Sequence, residues 1–310
     1  SQGEGLPALR YRVFAAPVNT GVHSGFDLDR DGQAAPSAQA RQYGGDCLGY
    51  GEFPGQYGMA LLVREGLRID HERVRTFREF RWKRMPGALL PTLEPGSTEG
   101  WYSDEALDAL PLSSKSHWDV PVVLKDGGVV HVLCSHPTPP VFDGPEDRNG
   151  KRNHDEIRFW GEYLSGASWI TDDAGGSGPL AAGAHAVILG DLNADPVDGD
   201  SLNSPVANLL LGHARVGPVG EAGTPKSNTP IARLDPTDTS RFRLRVDYAL
   251  PTNSLKVLAC GVWRSPADNP PGVVASPALP AEFPSDHFPV WIDLDVPQPA
   301  PGAGAGAHGR

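Results

Sequence analysis

The stretch AVILGDLNADP, residues 186–196, decides how this chain is read. Ala186, Val187, Ile188 and Leu189 form a short apolar run, the mark of a buried strand. The run ends in a polar turn carrying Asp191, Asn193 and Asp195, closed by Pro196. If the strand runs on to Asn193, then Asp191 and Asn193 face the same side, because side chains alternate along a strand. An acceptor and a donor then stand together at a strand's C-terminal end, which suits a water or a metal ion beside an anionic substrate. An ordinary Asx turn closed by proline has the same composition. The stretch therefore needs partners elsewhere before it means chemistry.

Three other segments have the same design. In FPSDHFPV, 283–290, an Asp286-His287 pair stands just before the apolar run PVWIDL. Histidine is the side chain best suited to move protons near neutral pH. In RVDYAL, 245–250, Asp247 is flanked by apolar residues, and a carboxylate there is costly unless paired. An imidazole would satisfy it, and so would Arg243 or Arg245. In VVHVLCSHP, 129–137, His136 ends an apolar strand as Asp191 does, while His131 lies within it and reads as structural. Four polar ends of four apolar strands form a far more specific pattern than any one of them.

The rest of the chain supplies the frame. Strands are expected at 10–15, 59–63, 120–124, 129–135, 186–189, 246–250 and 290–294. Helices are expected at 103–109, 155–164 and 204–211, where Ile157, Trp160 and Leu164 make one helical face. Helices and strands interleave, as in layered α/β or α+β proteins. With 37 glycines and 31 prolines, many long loops follow. No repeat and no linker divides the chain, so one domain is expected over 1–296, with a flexible Pro/Gly/Ala tail at 297–310.

The 310 residues are 39% hydrophobic, enough for a substantial core. A net charge of −11 argues against non-specific gripping of nucleic acid by the whole surface. It does not exclude nucleic-acid substrates, since the basic run Arg73, Arg75, Arg78, Arg81, Lys83 and Arg84 could serve locally, although a solvated face is the first reading of it. Three cysteines fit no zinc spacing, and Cys134 reads as a small core residue. No apolar run reaches the length of a membrane span, and no signal peptide is visible.

The constellation resembles the endonuclease/exonuclease/phosphatase superfamily, the metal-dependent phosphoesterases that include deoxyribonuclease I. GDLNADP is similar to its Gly-Asp-x-Asn turn and PSDHFPV to its Ser-Asp-His motif. RVDYAL is similar to its Asp-Tyr strand, CSHP to the strand ending in a catalytic His, and GQYGMALLVR, 55–64, to the strand before these. The resemblance covers roughly residues 11–294. It implies a four-layer α/β sandwich, two mixed sheets face to face with outer helices. It also implies hydrolysis of phosphodiesters or phosphomonoesters, in nucleic acid or small phosphorylated molecules; a monomer is expected. Asp191 would orient or deprotonate the attacking water, and Asn193 would hold that water or a phosphate oxygen. His287 would contact the scissile phosphate with Asp247 fixing its tautomer, and His136 would be a second phosphate contact or proton donor. Asp286, with Asp191, would bind Mg²⁺ or Mn²⁺. By position Asn19 would contact a phosphate, and Arg148, Lys151 and Arg152 in the long loop 137–153 would bring positive charge to the substrate.

The sequence departs from that family in one respect. The family opens with a strand ending in Asn and a strand ending in a metal-binding Glu, and neither precedes Tyr11; Glu4 and Glu52 are the nearest acids. The expectation is a domain incomplete at its N-terminus, or a divergent member. A catalytically inactive domain that binds a ligand or partner therefore stays open beside the enzyme. DLDRDG, 27–32, matches the front of a calcium loop, but position twelve is Ala38 rather than Glu, so a structural Ca²⁺ site competes with a solvent loop. A Ca²⁺-dependent extracellular binding module would leave the four strand ends unexplained. Tyr57, Trp101, Trp118 and Trp160 read as core. The loops and the DLDRDG segment point to an extracellular or periplasmic protein.

Overall fold

The computed structural model describes residues 9–37, 40, 43–217, 224–269 and 285–298. The tail expected at 297–310 and the N-terminal leader lie almost wholly outside them. The strands are β1 (Tyr11–Phe14), β2 (Leu61–Arg64), β3 (Arg68–Ile69), β4 (Arg75–Thr76), β5 (His117–Val123), β6 (Val129–Ser135), β7 (His185–Asp191), β8 (Asp247–Pro251), β9 (Lys256–Val262) and β10 (Val290–Asp295). The helices are α1 (Asp104–Ala109) and α2 (Arg148–Ser165), with a short π-type turn at Val206–Leu211. This is an α/β protein with mixed sheets and few helices.

The central sheet runs β3-β5-β6-β7-β8, with β4 also on β5. β6 and β7 are parallel and the other pairs antiparallel. A parallel pair needs a crossover, and α2 supplies it. Alternation then gives the sheet two apolar faces. Leu133, Ala186, Ile188 and Leu250 meet Ile157, Phe159, Trp160 and Leu164 of α2. On the opposite face, Trp118, Val120, Val122 and Cys134 pack on Val63, Leu61 and Phe14 of the β1–β2 pair. Val130, Val187 and Leu189 pack on Leu294 at the β9–β10 end. A helical layer, the central sheet and a second layer of strand pairs are thus in place.

The expected strands all exist, each to within a few residues. Ser103 caps α1 by accepting the Ala106 N–H at 3.1 Å. Three differences stand out. β9, KVLACGV, was not among the expected strands although 257–262 form an apolar run, and it carries exposed Leu258 and Lys256. α2 begins at Arg148, not Asp155, so its first two turns are polar and the loop after His136 is shorter than expected. The basic run at 73–84 is partly spent inside the fold: Arg75 reaches Asp172 at 2.6 Å and Tyr163 at 3.1 Å. Trp118 and Trp160 are fully buried, but Tyr57 is 52% exposed and is not core.

Candidate active site

Strand pairing alone gathers the polar strand ends. Because β6 and β7 are parallel, their C-terminal ends coincide, which places His136 beside Asp191: the imidazole Nε2 lies 3.5 Å from Asp191 Oδ2. Because β8 is antiparallel to β7, its first residue comes to the same end, and Asp247 pairs directly with Asp191 in register. Ser240 bridges His287 in the segment before β10. His287 Nδ1 then donates to Asp247 Oδ2 at 2.8 Å, and its Nε2 stands 3.9 Å from Asp191 Oδ2. Asp247 is therefore satisfied by an imidazole rather than by Arg243 or Arg245. Phe242 packs edge-on to the His287 ring at 5.4 Å.

Gly190 makes the close approach possible. A Cβ on it would fall 1.9 Å from the Ser135 carbonyl oxygen, immediately before His136. β7 ends at Asp191, earlier than the strand reading assumed. Asn193 takes a left-handed φ of 52°, which asparagine tolerates. Its N–H donates to Asp191 Oδ1 at 2.8 Å, and its side-chain Nδ2 to the Pro137 carbonyl at 3.1 Å. It ties the β7 turn to the segment after His136.

The charges at this end are pushed apart. Burial and the facing Asp247 carboxylate raise Asp191 to about 6. The hydrogen bond to Asp247, against the cost of burial, raises His287 to about 9. Burial and nearby Lys115 hold His136 well below its ordinary 6.5, with one ring nitrogen bonded to the Tyr57 carbonyl. Near neutral pH the site then holds one imidazolium, one neutral imidazole and a carboxyl group close to its midpoint. Groups whose environments separate their pKa values in this way are suited to divide acid and base roles. A raised His pKa stabilises the fold fully below 6.5, and that contribution fades as pH rises toward 9. Asp247→Asn should return the His287 titration, followed by imidazole NMR in EDTA, from about 9 toward 6.5; a midpoint still near 9 would remove Asp247 as the cause.

Oxygens of Asp191 and Asp247 and a nitrogen of His287 lie within 4.8 Å of one another. Two carboxylates opposed in register repel, and the raised Asp191 records that repulsion. A hard divalent cation that keeps several waters and takes one or two carboxylates fits this donor set. Asp286 is not among these residues. Neighbours in extended chain face opposite ways, so with His287 turned to Asp247, Asp286 is exposed. The carboxylates that could face an ion here are Asp191 and Asp247.

Two other expected contacts are corrected. Asn19 is buried, with Nδ2 donating to the Arg78 and Ser113 carbonyls and Oδ1 accepting from Arg78 Nε. Arg152 is buried on α2, its guanidinium on the carbonyls of Leu112, Leu48 and Pro111. Both side chains are turned into the fold as braces between backbone segments. Arg148 pairs with Glu146, and Lys151 donates to the Glu146 carbonyl. In the DLDRDG loop, Asp27 and Asp29 meet Asp46 rather than a twelfth-position Glu. Asp46 accepts the Leu28 and Ala35 N–H groups and Asp27 those of Asp31 and Gly32.

Sequence reasoning missed a set of supports. Asn153 donates to the Thr138 and Leu192 carbonyls, and Glu156 accepts from Ser114 and Thr138 N–H. Both share a helical face with Ile157 and Trp160, and polar residues on an apolar face were the signal for them.

The chain belongs to the Endonuclease/Exonuclease/phosphatase family, whose model matches residues 15–287. Membership supports a hydrolase of the phosphoesterase type. No curated protein matches the sequence. Among solved structures, an endonuclease/exonuclease/phosphatase from Beutenbergia cavernae is 19% identical, with 58% of this chain and 39% of that one covered and a TM-score of 0.35. The human Nocturnin catalytic domain with bound sulfate is 13% identical, with 92% and 72% covered and a TM-score of 0.43. A mannosyl-6-phosphatase of Bacteroides thetaiotaomicron is 16% identical, with 77% and 71% covered and a TM-score of 0.38. Likenesses this distant decide nothing about chemistry. Among the described residues, no helix is long and apolar enough to cross a membrane.

Proposed function

We propose that this domain is a divalent-metal-dependent phosphoesterase that hydrolyses phosphodiesters or phosphomonoesters. The observation that carries the reading is the Asp191–Asp247 pair in register with His287 closed onto it. Asp191, poised near 6, accepts a proton from the attacking water or orients it. His287, an imidazolium steadied by Asp247, faces the phosphate and offers a proton through Nε2. His136, neutral, is the second histidine at the phosphate. Mg²⁺ or Mn²⁺ held by Asp191 and Asp247 would offset phosphate charge.

The test is hydrolysis of bis-p-nitrophenyl phosphate and p-nitrophenyl phosphate with Mg²⁺, Mn²⁺, Ca²⁺ or EDTA. Turnover that EDTA stops and Mg²⁺ or Mn²⁺ restores is expected, and the diester-to-monoester ratio narrows the substrate. Silence with every cation would overturn the reading. A second reading, an inactive domain that binds a phosphorylated ligand, then takes its place. It is favoured by the donor set, since among the described residues only two carboxylates and one imidazole here lie mutually within metal-ligating reach.

A further inference from the structure

The site has a cation that the sequence did not suggest. The lysine and arginines that looked suited to meet an anionic substrate, Arg148, Lys151 and Arg152, are committed elsewhere. Lys115, just before β5 in SSKSHWD, is only 4% exposed. Its Nζ donates to the Pro137 carbonyl at 3.1 Å, the oxygen that also accepts from Asn193 Nδ2 at 3.1 Å. That carbonyl immediately follows His136. Lys115 is close enough to lower the His136 pKa and to help hold down that of Asp191.

An ammonium carries three N–H donors, and among the described residues only the Pro137 bond accounts for one. A buried charge with unfilled donors is costly. Glu156, the nearest carboxylate by its influence, already accepts Ser114 N–H, Ser114 O–H and Thr138 N–H. As a purely structural tie, one carbonyl bond is a poor return on a buried ammonium, since a neutral donor would serve as well. In a chain of net charge −11, a fixed cation beside His136 and Asp191 answers a different need, the neutralisation of an anion.

We infer that Lys115 is the phosphate-binding cation of the site, with its free N–H donors directed to non-bridging phosphate oxygens beside His136 and Asn193. The inference rests on the phosphoesterase reading for the identity of the anion, but its test does not need turnover. Inorganic phosphate is the probe, titrated into the whole chain selectively labelled with ¹⁵N at lysine Nζ. The Lys115 ammonium resonance should shift with phosphate and not with equal chloride. Lys115→Met, similar in length and neutral, should keep its Tm within a few degrees, weaken phosphate binding at least tenfold and lower kcat/KM by a larger factor than it raises KM. Lys115→Arg should recover part of the phosphate affinity. A wild-type Lys115 signal indifferent to phosphate would overturn the inference whether or not either variant folds, and so would a folded Lys115→Met that binds phosphate as wild type does. Lysine-dependent phosphate binding without ester hydrolysis would sink the enzyme reading and keep Lys115. Hydrolysis without phosphate effects on Lys115 would do the reverse.

Discussion

His287→Ala is expected to lower kcat by about 10³-fold, within the range for loss of a positioned acid or base, while leaving the fold intact. His287 lies at the mouth of the sheet, not in its core, and its ring touches Asp247, Asp191 and Phe242. Its removal deletes the proton held near Asp191 and leaves two opposed carboxylates without their imidazolium. Asp191 should then titrate higher, because a neighbouring positive charge is gone. Two measurements on one sample decide the matter: thermal denaturation, expected within a few degrees of wild type, and steady-state kinetics with Mg²⁺ on the better of the two nitrophenyl esters. A folded variant retaining more than a tenth of wild-type kcat would show that His287 is not in the proton path.

Gly190→Ala should produce the largest loss of stability. The added methyl would sit 1.9 Å from the Ser135 carbonyl oxygen, which is backbone and has no rotamer to escape into. β7 would have to move off β6 at the point where they carry Asp191 and His136. Overpacking of this kind costs about 3 kcal/mol, a Tm drop on the order of 10 °C. The kinetic consequence is separate: protein still folded at low temperature should have lost most of its kcat, since the His136–Asp191 distance is set by that contact. An unchanged Tm would mean that the two strands are not in contact there.

The site was legible where a motif residue ends a strand. Asp191, Asn193, Asp247, His136 and His287 are all delivered by strand pairing, and a buried apolar run shows plainly in sequence. Asp286, expected at the metal, is exposed and stands outside the Asp191–Asp247–His287 cluster, as alternation in extended chain turns it away from the side His287 faces. Arg152 was misread because the loop after His136 was taken to be longer than it is. Once α2 starts at Arg148, the fifth residue of the helix faces the interior and its charge goes to carbonyls. β9 went unassigned although 257–262 is an apolar run like the others, so its signal was present in the sequence. Lys115 had no periodic signal, since a polar run ahead of a strand resembles any loop. What burial does to one lysine depends on the carbonyl it meets, and that is tertiary information.

The parallel β6–β7 pairing, joined through α2, carries a consequence for how the protein comes to life. The candidate site's groups lie at positions 136, 191, 247 and 287, and none becomes a neighbour of the next until distant strands have docked. Topologies dominated by such non-local pairing fold slowly. During synthesis the ribosome must release β10's leading segment before His287 can close onto Asp247. The candidate site is thus assembled late, only after nearly all of the described sheet has formed.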